Sequence, residues 1–284
     1  MKQKFFLLIL VAFLSSFFFS CQENNFSAPP THNAISSSST KPMRINNAES
    51  IKQETKILEY AQNISTEHNL MLTYLSDYIY KEQETIIAMK TPNELECLIT
   101  KALDNYIEKN KNKYPIYEDL KDCYYQIPSN VTGNDIEQMF SEKALETVSI
   151  VMKNILDTKL HEKIIKEVAQ SPNTYSLKEQ YALCALIATL DSSIQYWKNY
   201  DQTKISFIPN HLTIYNNYTK KIDQYIDYGG IAINNGLRIL DVEVVIADAY
   251  WGWFGTVASC GNLVVGGGAA AAASFFKILE INNL

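Results

Sequence analysis

Arginine is nearly absent from this 284-residue sequence, which contains Arg44 and Arg238 and no other. Lysine and arginine together number 25 and acidic residues number 31, so the formal net charge is −6. Proteins that bind nucleic acids rely on basic patches and on the planar guanidinium group, so this composition argues against a nucleic-acid partner. Hydrophobic residues at 46% and charged residues at 20% are typical of a folded globular protein.

Histidine is also scarce, and its spacing does not match a metal site. The chain has four histidines, and the residue four positions after His161 is Ile165 rather than a second histidine. Two histidines one turn apart on a helix are a common zinc-binding spacing, and that spacing is missing. We therefore predict that His161 is a solvent-exposed surface residue and that the protein binds no metal.

Sequence motifs of catalysis are missing as well. No serine lies in a nucleophile elbow, and the glycines at 266–268 are not followed by the Lys and Ser or Thr of a phosphate-binding loop. The acid pairs Glu94/Glu96 and Asp119/Asp122 have no apolar context that would desolvate one member, so we expect them on solvated faces. The sequence predicts a protein that is not an enzyme and that holds no cofactor.

The first 21 residues have the pattern of an exported protein. Lys2 and Lys4 precede an apolar run over residues 5–19, and Cys21 follows that run after one serine. A charged start and a short apolar run indicate a secretory signal peptide, here residues 1–20. The position of the cysteine resembles the lipobox of bacterial lipoprotein precursors, although Phe-Phe-Ser stands before it where that family usually has Leu, a small residue and Gly or Ala.

The lipobox resemblance implies that Cys21 is the first residue of the mature protein and carries acyl chains. The predicted partner is then a membrane, reached through the N-terminal acyl chains, and the predicted location is the cell envelope, at the outer membrane or the cell surface. A cysteine that only happens to follow an ordinary signal peptide is the alternative. Residues 21–47 are rich in Ser, Asn and Pro and are predicted to form a flexible tether of roughly 25 to 30 Å mean reach.

Four cysteines remain after Cys21, an even number that an oxidising compartment could pair. Cys97 and Cys123 flank a predicted helix end and turn, which makes them the candidate disulfide. Cys184 and Cys260 lie in strongly apolar stretches and are expected to pack as small hydrophobic side chains.

Residues 48–200 are predicted to form a helical bundle, because apolar residues recur there at steps of three and four. Pro92 follows a threonine cap, and Ser176 and Glu179 have capping-box spacing. Residues 201–237 are predicted to be an irregular connection, with a short helix near 212–225 as the alternative. The predicted helices of the bundle cover residues 49–89, with a break near 65–66 left open, and 91–112, 135–170 and 176–200.

The unusual part of the chain is its C-terminal stretch, residues 238–284. Residues 249–276 form an uncharged run of 28 positions, among them six glycines and seven alanines. Small residues four apart let helices approach closely, whether in membranes or in a tightly packed soluble hairpin. The residues predicted to serve in this way are Gly252, Gly255, Ser259, Gly266, Gly267, Gly268, Ala270 and Ser274.

The composition of this run is similar to that of Gly/Ala-rich pore-forming bacteriocins, over about 40 of the 284 residues. That similarity implies a segment able to act on membranes. Asp241 and Asp248 precede the run seven residues apart and so share one helix face. We expect them on the exposed stripe of a half-buried helix, and an acidic collar at a membrane boundary is the alternative.

These patterns predict a mainly α fold, an antiparallel helical bundle with a C-terminal Gly/Ala-rich apolar helical hairpin. Three function classes stay open. The first is a membrane-tethered binding or structural module with the hairpin inside the bundle, which would act on a protein partner or through self-association. The second is a membrane-inserting, toxin-like or pore-forming lipoprotein, and the third is an enzyme.

Overall fold

The computed structural model describes residues 47–114, 117, 119–120, 140–212, 239–258 and 261–281. The predicted signal peptide, Cys21 and all of the tether but residue 47 lie outside these segments. Every regular element within them is helical, which confirms the predicted mainly α-helical bundle. The α-helices, numbered in chain order, are α1 Asn47–Lys81, α2 Gln83–Ile87, α3 Pro92–Asn110, α4 Glu142–Lys153, α5 Thr158–Ala169, α6 Leu177–Lys198, α7 Ile239–Ala258 and α8 Leu263–Ile281.

The predicted helix start at residue 176 is confirmed. The Ser176 hydroxyl accepts a hydrogen bond from the backbone amide of Glu179, and the Glu179 carboxylate accepts one from the backbone amide of Ser176. Glu179 Oε1 also accepts a hydrogen bond of 2.6 Å from the amide of Ser141, just before α4 begins. One carboxylate therefore caps α6 and holds the start of α4 beside it.

The break left open near residues 65–66 is not there. The hydroxyls of Ser65 and Thr66 both donate to the carbonyl oxygen of Gln62, at 3.0 and 2.8 Å. Hydroxyl groups that bond back to their own helix in this way remain compatible with helical backbone. α1 therefore runs unbroken to Lys81 and is followed by the short helix α2.

The single helix predicted over residues 135–170 is wrong. Two helices, α4 and α5, occupy its described part, and residues 135–139 lie outside the described segments. Asn154 departs from helical backbone angles, and the Asp157 carboxylate accepts a hydrogen bond from the amide of Leu160 to cap α5. The apolar periodicity continues across this turn, since Ile155 in the turn is itself buried.

Four long helices, α1, α6, α7 and α8, form the centre of the bundle. α7 runs antiparallel to both α6 and α8, in line with the predicted antiparallel arrangement, whereas α1 and α6 run parallel to each other. The parallel direction follows from three contacts whose residue numbers increase together along the two helices: Gln53 to Tyr181, Asn69 to Ser192 and Ser76 to Tyr200.

The hairpin α7–α8 lies inside this arrangement. α7 packs along α6 and α8 packs along α1, so that the buried side chains of the hairpin belong to the same apolar cluster as those of the other helices. Gly261 makes the turn with a positive φ of 79°, a conformation that favours glycine. Asn262 then caps α8, because its side-chain oxygen accepts from the amides of Val264 and Val265.

The connection predicted over residues 201–237 is described as far as Leu212. It contains two short 3-10 helices, Gln202–Lys204 and Asn210–Leu212. The alternative helix near 212–225 lies outside the described residues apart from Leu212. Ile205, Ile208 and Leu212 are buried, so the start of the connection packs against the bundle.

Candidate functional site

Two glycines of the predicted set, Gly255 and Gly266, face each other across the hairpin. A methyl group on Gly255 would place its carbon 2.8 Å from the carbonyl oxygen of Gly266 and 3.0 Å from the Gly266 Cα. A real Cβ does not approach backbone atoms so closely. The two helices therefore meet backbone to backbone, which requires glycine at position 255.

Other small residues of the hairpin face the neighbouring helices. A methyl carbon on Gly252 would lie 2.8 Å from Thr189 Oγ1 on α6, and one on Gly267 would lie 3.1 Å from the backbone nitrogen of His68 on α1. Gly268 faces Met71, and Ala270 and Ser274 are completely buried. Ser259 lies outside the described residues. The glycines at 252 and 267 thus bring α6 and α1 close to the hairpin.

A buried carboxylate, Asp248, lies at the centre of these contacts. Trp197 Nε1 donates a hydrogen bond of 2.9 Å to Asp248 Oδ2, and the Ser193 hydroxyl donates a second to the same oxygen. His68 Nε2 lies 2.9 Å from Asp248 Oδ1. We call these four residues the Asp248 cluster. The expectation that Asp248 lies on an exposed stripe is wrong, because its side chain is 0% exposed; the side chain of Asp241 is outside the described residues.

The orientation of the His68 ring is set from its other side. Nδ1 lies 2.9 Å from Asn69 Oδ1, and Asn69 Nδ2 donates to the carbonyl oxygen of Ser192 on α6. Both ring nitrogens therefore face an oxygen acceptor, one an amide oxygen and one a carboxylate oxygen. The His68 ring and the Asp248 carboxylate thus meet in a completely buried contact between α1 and α7.

Asn69 also connects the Asp248 cluster to the surface. It lines a shallow groove of about 300 Å³ between α1 and α6. The lining is made of uncharged hydroxyl and amide groups together with the half-exposed side chain of Leu70. The lining residues are Gln62, Ser65, Thr66, Asn69, Leu70, Thr73 and Ser192.

A second buried carboxylate, Glu67, lies beside the Asp248 cluster on α1. Its oxygens accept hydrogen bonds from the hydroxyl of Tyr106 at 2.8 Å and the hydroxyl of Tyr114 at 2.9 Å. Lys113 Nζ donates a third at 2.7 Å and forms an ion pair with it. Burial, followed by the hydrogen bond to Glu67 and its charge, raises the pKa of Tyr106. Glu67 therefore has a full set of donors and ties α1 to α3.

His161 is not the surface residue that the sequence predicts. Its side chain is completely buried between α5 and α6, and Nδ1 lies 2.6 Å from Asp191 Oδ1. Asp191 is 27% exposed, so this pair reaches water through its carboxylate. It has the same chemistry as His68 and Asp248 but does not involve the hairpin.

The two members of the first predicted acid pair, Glu94 and Glu96, differ in their exposure to solvent. Glu94 accepts a hydrogen bond of 2.8 Å from the amide of Lys90 and is solvated as expected. Glu96 does not lie on a solvated face, because its side chain is buried. This desolvation raises the pKa of Glu96.

The Asp119 carboxylate contacts a lysine and a tyrosine of neighbouring helices. Burial by itself raises the pKa of Asp119, but hydrogen bonds and the charge of Lys56, with a further bond from Tyr181, outweigh that effect and lower it. Lys56 Nζ lies 3.1 Å from Asp119 Oδ2. Asp122 lies outside the described residues.

Two of the cysteines have described side chains. Cys184 is buried as expected, and desolvation raises the pKa of its thiol. Cys97 is exposed, while its candidate partner Cys123 and the other apolar cysteine, Cys260, lie outside the described residues.

We expect Cys184 to resist alkylation in the folded protein, because a buried thiol with a raised pKa supplies neither access nor thiolate. Peptide mapping by mass spectrometry, after treatment with iodoacetamide with and without denaturant, measures this for each cysteine. Cys97 is the control. Labelling of Cys97 in the native protein only after reduction would support the disulfide with Cys123, whereas rapid native labelling of Cys184 would contradict its burial.

Comparison of the chain with protein-family models, with curated proteins and with solved structures finds no match in any of the three. Within the described residues no group of three or more His, Cys, Asp or Glu side chains is placed to hold a metal ion. A search of the described helices for one long and apolar enough to cross a membrane also returns none.

Sequence reasoning missed the Asp248 cluster. The available signal was that Asp248 is the last charge before the uncharged run, within a stretch that is otherwise apolar from Val244 onward. A carboxylate in such a stretch is buried only if donors from other elements reach it. The donors come from α1 and α6, which are far from α7 in sequence.

Proposed function

We propose that this protein is an exported lipoprotein, held on a membrane through acylated Cys21, whose helical bundle acts as a binding or structural module. The observation that carries the proposal is the burial of the Gly/Ala hairpin. Its small residues contact α1, α6 and each other, and Asp248 accepts hydrogen bonds from Ser193 and Trp197 of the bundle. An apolar segment used in this way serves as the protein's own core.

The described surface supports binding rather than chemistry. The groove between α1 and α6 offers uncharged hydroxyl and amide groups, and no desolvated catalytic group opens into it. Such a lining suits a partner that forms hydrogen bonds with uncharged groups and packs an apolar group against Leu70. Leu70 is 45% exposed. The lipid anchor would place this groove near the membrane, at a height set by the tether.

We expect the chain of residues 22–284 to be monodisperse in buffer without detergent and to cause no dye release from phosphatidylcholine vesicles. The full chain, produced in a bacterium that processes lipoproteins, is expected in the membrane fraction with an acylated Cys21 detectable by mass spectrometry. Cys21→Ala is the matched control and should leave that fraction. An unmodified mature N-terminus at another residue would contradict the anchor.

The second candidate, a membrane-inserting lipoprotein, is favoured by one observation. Residues 249–276 carry no charged side chain and are built as two helices joined by a tight turn. The same experiment separates the two functions. Dye release by residues 22–284, or dependence of their solubility on detergent, would contradict the binding module and support the membrane-inserting lipoprotein.

A further inference from the structure

We propose that the contact between His68 and Asp248 is a binding site for one buried water molecule. The water donates one hydrogen atom to His68 Nε2 and the other to Asp248 Oδ1, and so joins the hairpin α7–α8 to α1. The ligand class of the site is a small neutral molecule with two hydrogen-bond donors. This site goes beyond the binding or structural role proposed above and does not depend on it.

The two atoms that bind the water are close together and fully buried. His68 Nε2 lies 2.9 Å from Asp248 Oδ1, and both side chains are 0% exposed. The two atoms nevertheless form no hydrogen bond with each other, and neither has a hydrogen-bond partner within the described part of the chain. Folded proteins rarely leave buried polar atoms in this state, because a hydrogen bond to solvent is lost without replacement. An internal water molecule is a common replacement.

Asn69 determines which nitrogen of the His68 ring carries a hydrogen atom. Asn69 Nδ2 donates to the carbonyl oxygen of Ser192 at 3.3 Å, which leaves Asn69 Oδ1 as the acceptor that faces His68 Nδ1 at 2.9 Å. Nδ1 is therefore the donor of the ring. In neutral imidazole the other nitrogen is an acceptor, so Nε2 faces Asp248 as an acceptor. A hydrogen atom on Nε2 as well would have no acceptor in this geometry.

The Asp248 carboxylate also faces this contact as an acceptor. Its other oxygen, Oδ2, already accepts from the Ser193 hydroxyl and from Trp197 Nε1. Each of these two groups has one hydrogen atom, so neither has another to give to Oδ1. Two acceptors thus face each other, and the contact requires a molecule that donates to both.

Glu67 is the other buried carboxylate near this part of the hairpin, since its Cβ lies close to Gly267. Its oxygens accept from two tyrosine hydroxyls and one ammonium group, which belong to α3 and the residues that follow it. Glu67 is therefore fully partnered. As an acceptor, it also has no hydrogen atom to supply to His68 or Asp248.

Water meets the requirement of this site better than a metal ion does. An imidazole nitrogen and a carboxylate oxygen could both be metal ligands, but a structural zinc site usually has four. Within the described residues no third His, Cys, Asp or Glu side chain is placed to join these two. Water needs only the two acceptors that are present, because it has two donors.

The groove between α1 and α6 brings solvent close to the site. Asn69 and Ser192 line this groove of about 300 Å³, and the Asn69 amide contacts the His68 ring directly. One side chain therefore separates the groove from the ring. We expect water to enter when the Asn69 side chain moves.

Two measurements on the full chain test the site without altering it. At neutral pH the nitrogen chemical shifts of isotope-labelled histidine should show that His68 Nδ1 is protonated and Nε2 is not. A high-resolution crystal structure should show one water within about 3.2 Å of both His68 Nε2 and Asp248 Oδ1. The proposal is overturned if Nε2 carries a hydrogen atom, if no solvent density lies at the contact, or if a metal ion occupies it.

Asp248→Asn tests the count of donors and acceptors with little change of shape. Its amide can direct the oxygen to Ser193 and Trp197 and the NH₂ group to His68 Nε2, so that every group has a partner. We expect its Tm to lie within about 4 °C of the parent Tm. Asp248→Ala is the matched control and should melt well below it. An Asp248→Asn chain that melts as low as Asp248→Ala would overturn the proposal, because a hydrogen atom on Nε2 would then oppose the NH₂ group.

Discussion

Replacement of Asp248 by alanine is expected to lower the free energy of unfolding at neutral pH by about 3 to 5 kcal/mol. The change leaves the Nε2 atom of His68 buried without the carboxylate that faces it, and the hydroxyl of Ser193 and the indole N–H of Trp197 lose their acceptor. His68→Ala is also expected to destabilise the fold, because it leaves Asp248 Oδ1 buried without its polar neighbour. Urea unfolding followed by circular dichroism measures both changes.

The double variant shows whether the two groups act as a pair. Once one of the two groups is gone, loss of the other removes an unpaired buried group, so His68→Ala with Asp248→Ala should cost less than the sum of the single changes, by roughly 0.5 to 3 kcal/mol. The same cycle at His161 and Asp191 is the control. Its coupling should be smaller, because water already reaches the Asp191 carboxylate. Additive effects at positions 68 and 248 would show that the contact between the two side chains contributes nothing.

The start of α6 is predicted correctly because its signal is local. The capping box at Ser176 and Glu179 involves residues three apart, so its physics is complete within one stretch of sequence. The turn at residues 154–157 was missed for the opposite reason. Apolar periodicity continues through Ile155, and the Asp157 cap has no glutamate or glutamine three residues later to complete a capping-box pattern.

The small residues of the hairpin were also identifiable in advance, since the i and i+4 spacing of glycine and alanine has few uses other than close helix contact. The neighbour that each glycine faces could not be identified in advance. Gly267 meets His68 and Gly252 meets Thr189, and these partners are fixed by the parallel direction of α1 and α6. That direction depends on how several intervening helices pack, which apolar periodicity does not encode.

Buried charges were the least predictable feature. Asp248 and His68 are 180 positions apart, and neither residue type by itself indicates burial. Asp191 and His161 repeat the same arrangement across 30 positions. A titratable residue is stable in a core only when the fold brings a partner to it, so its burial follows from tertiary structure and not from its own stretch of sequence.

Gly255→Leu is expected to lower the free energy of unfolding by about 1 to 3 kcal/mol, and the Tm by several degrees. Any side chain at this position meets the backbone of Gly266 at 2.8 Å, and backbone cannot turn aside as the end of a flexible side chain can. The leucine would therefore force α7 and α8 apart along the length of the hairpin. Thermal unfolding of residues 22–284, monitored by circular dichroism, measures the effect.

Ala269→Leu is a suitable control for this change. It adds a large side chain to the same hairpin, but at a position that is only partly buried, where the leucine has room to reach solvent. Leucine is also a better helix former than glycine by nearly 1 kcal/mol, a gain that works against the predicted loss at position 255. If Gly255→Leu proves as stable as the parent chain, the hairpin helices can separate at little cost, and close backbone contact is not what holds them. If it is destabilised while Ala269→Leu is not, the contact between Gly255 and Gly266 is a structural requirement of the core, and the uncharged run of 28 residues owes its small side chains to packing.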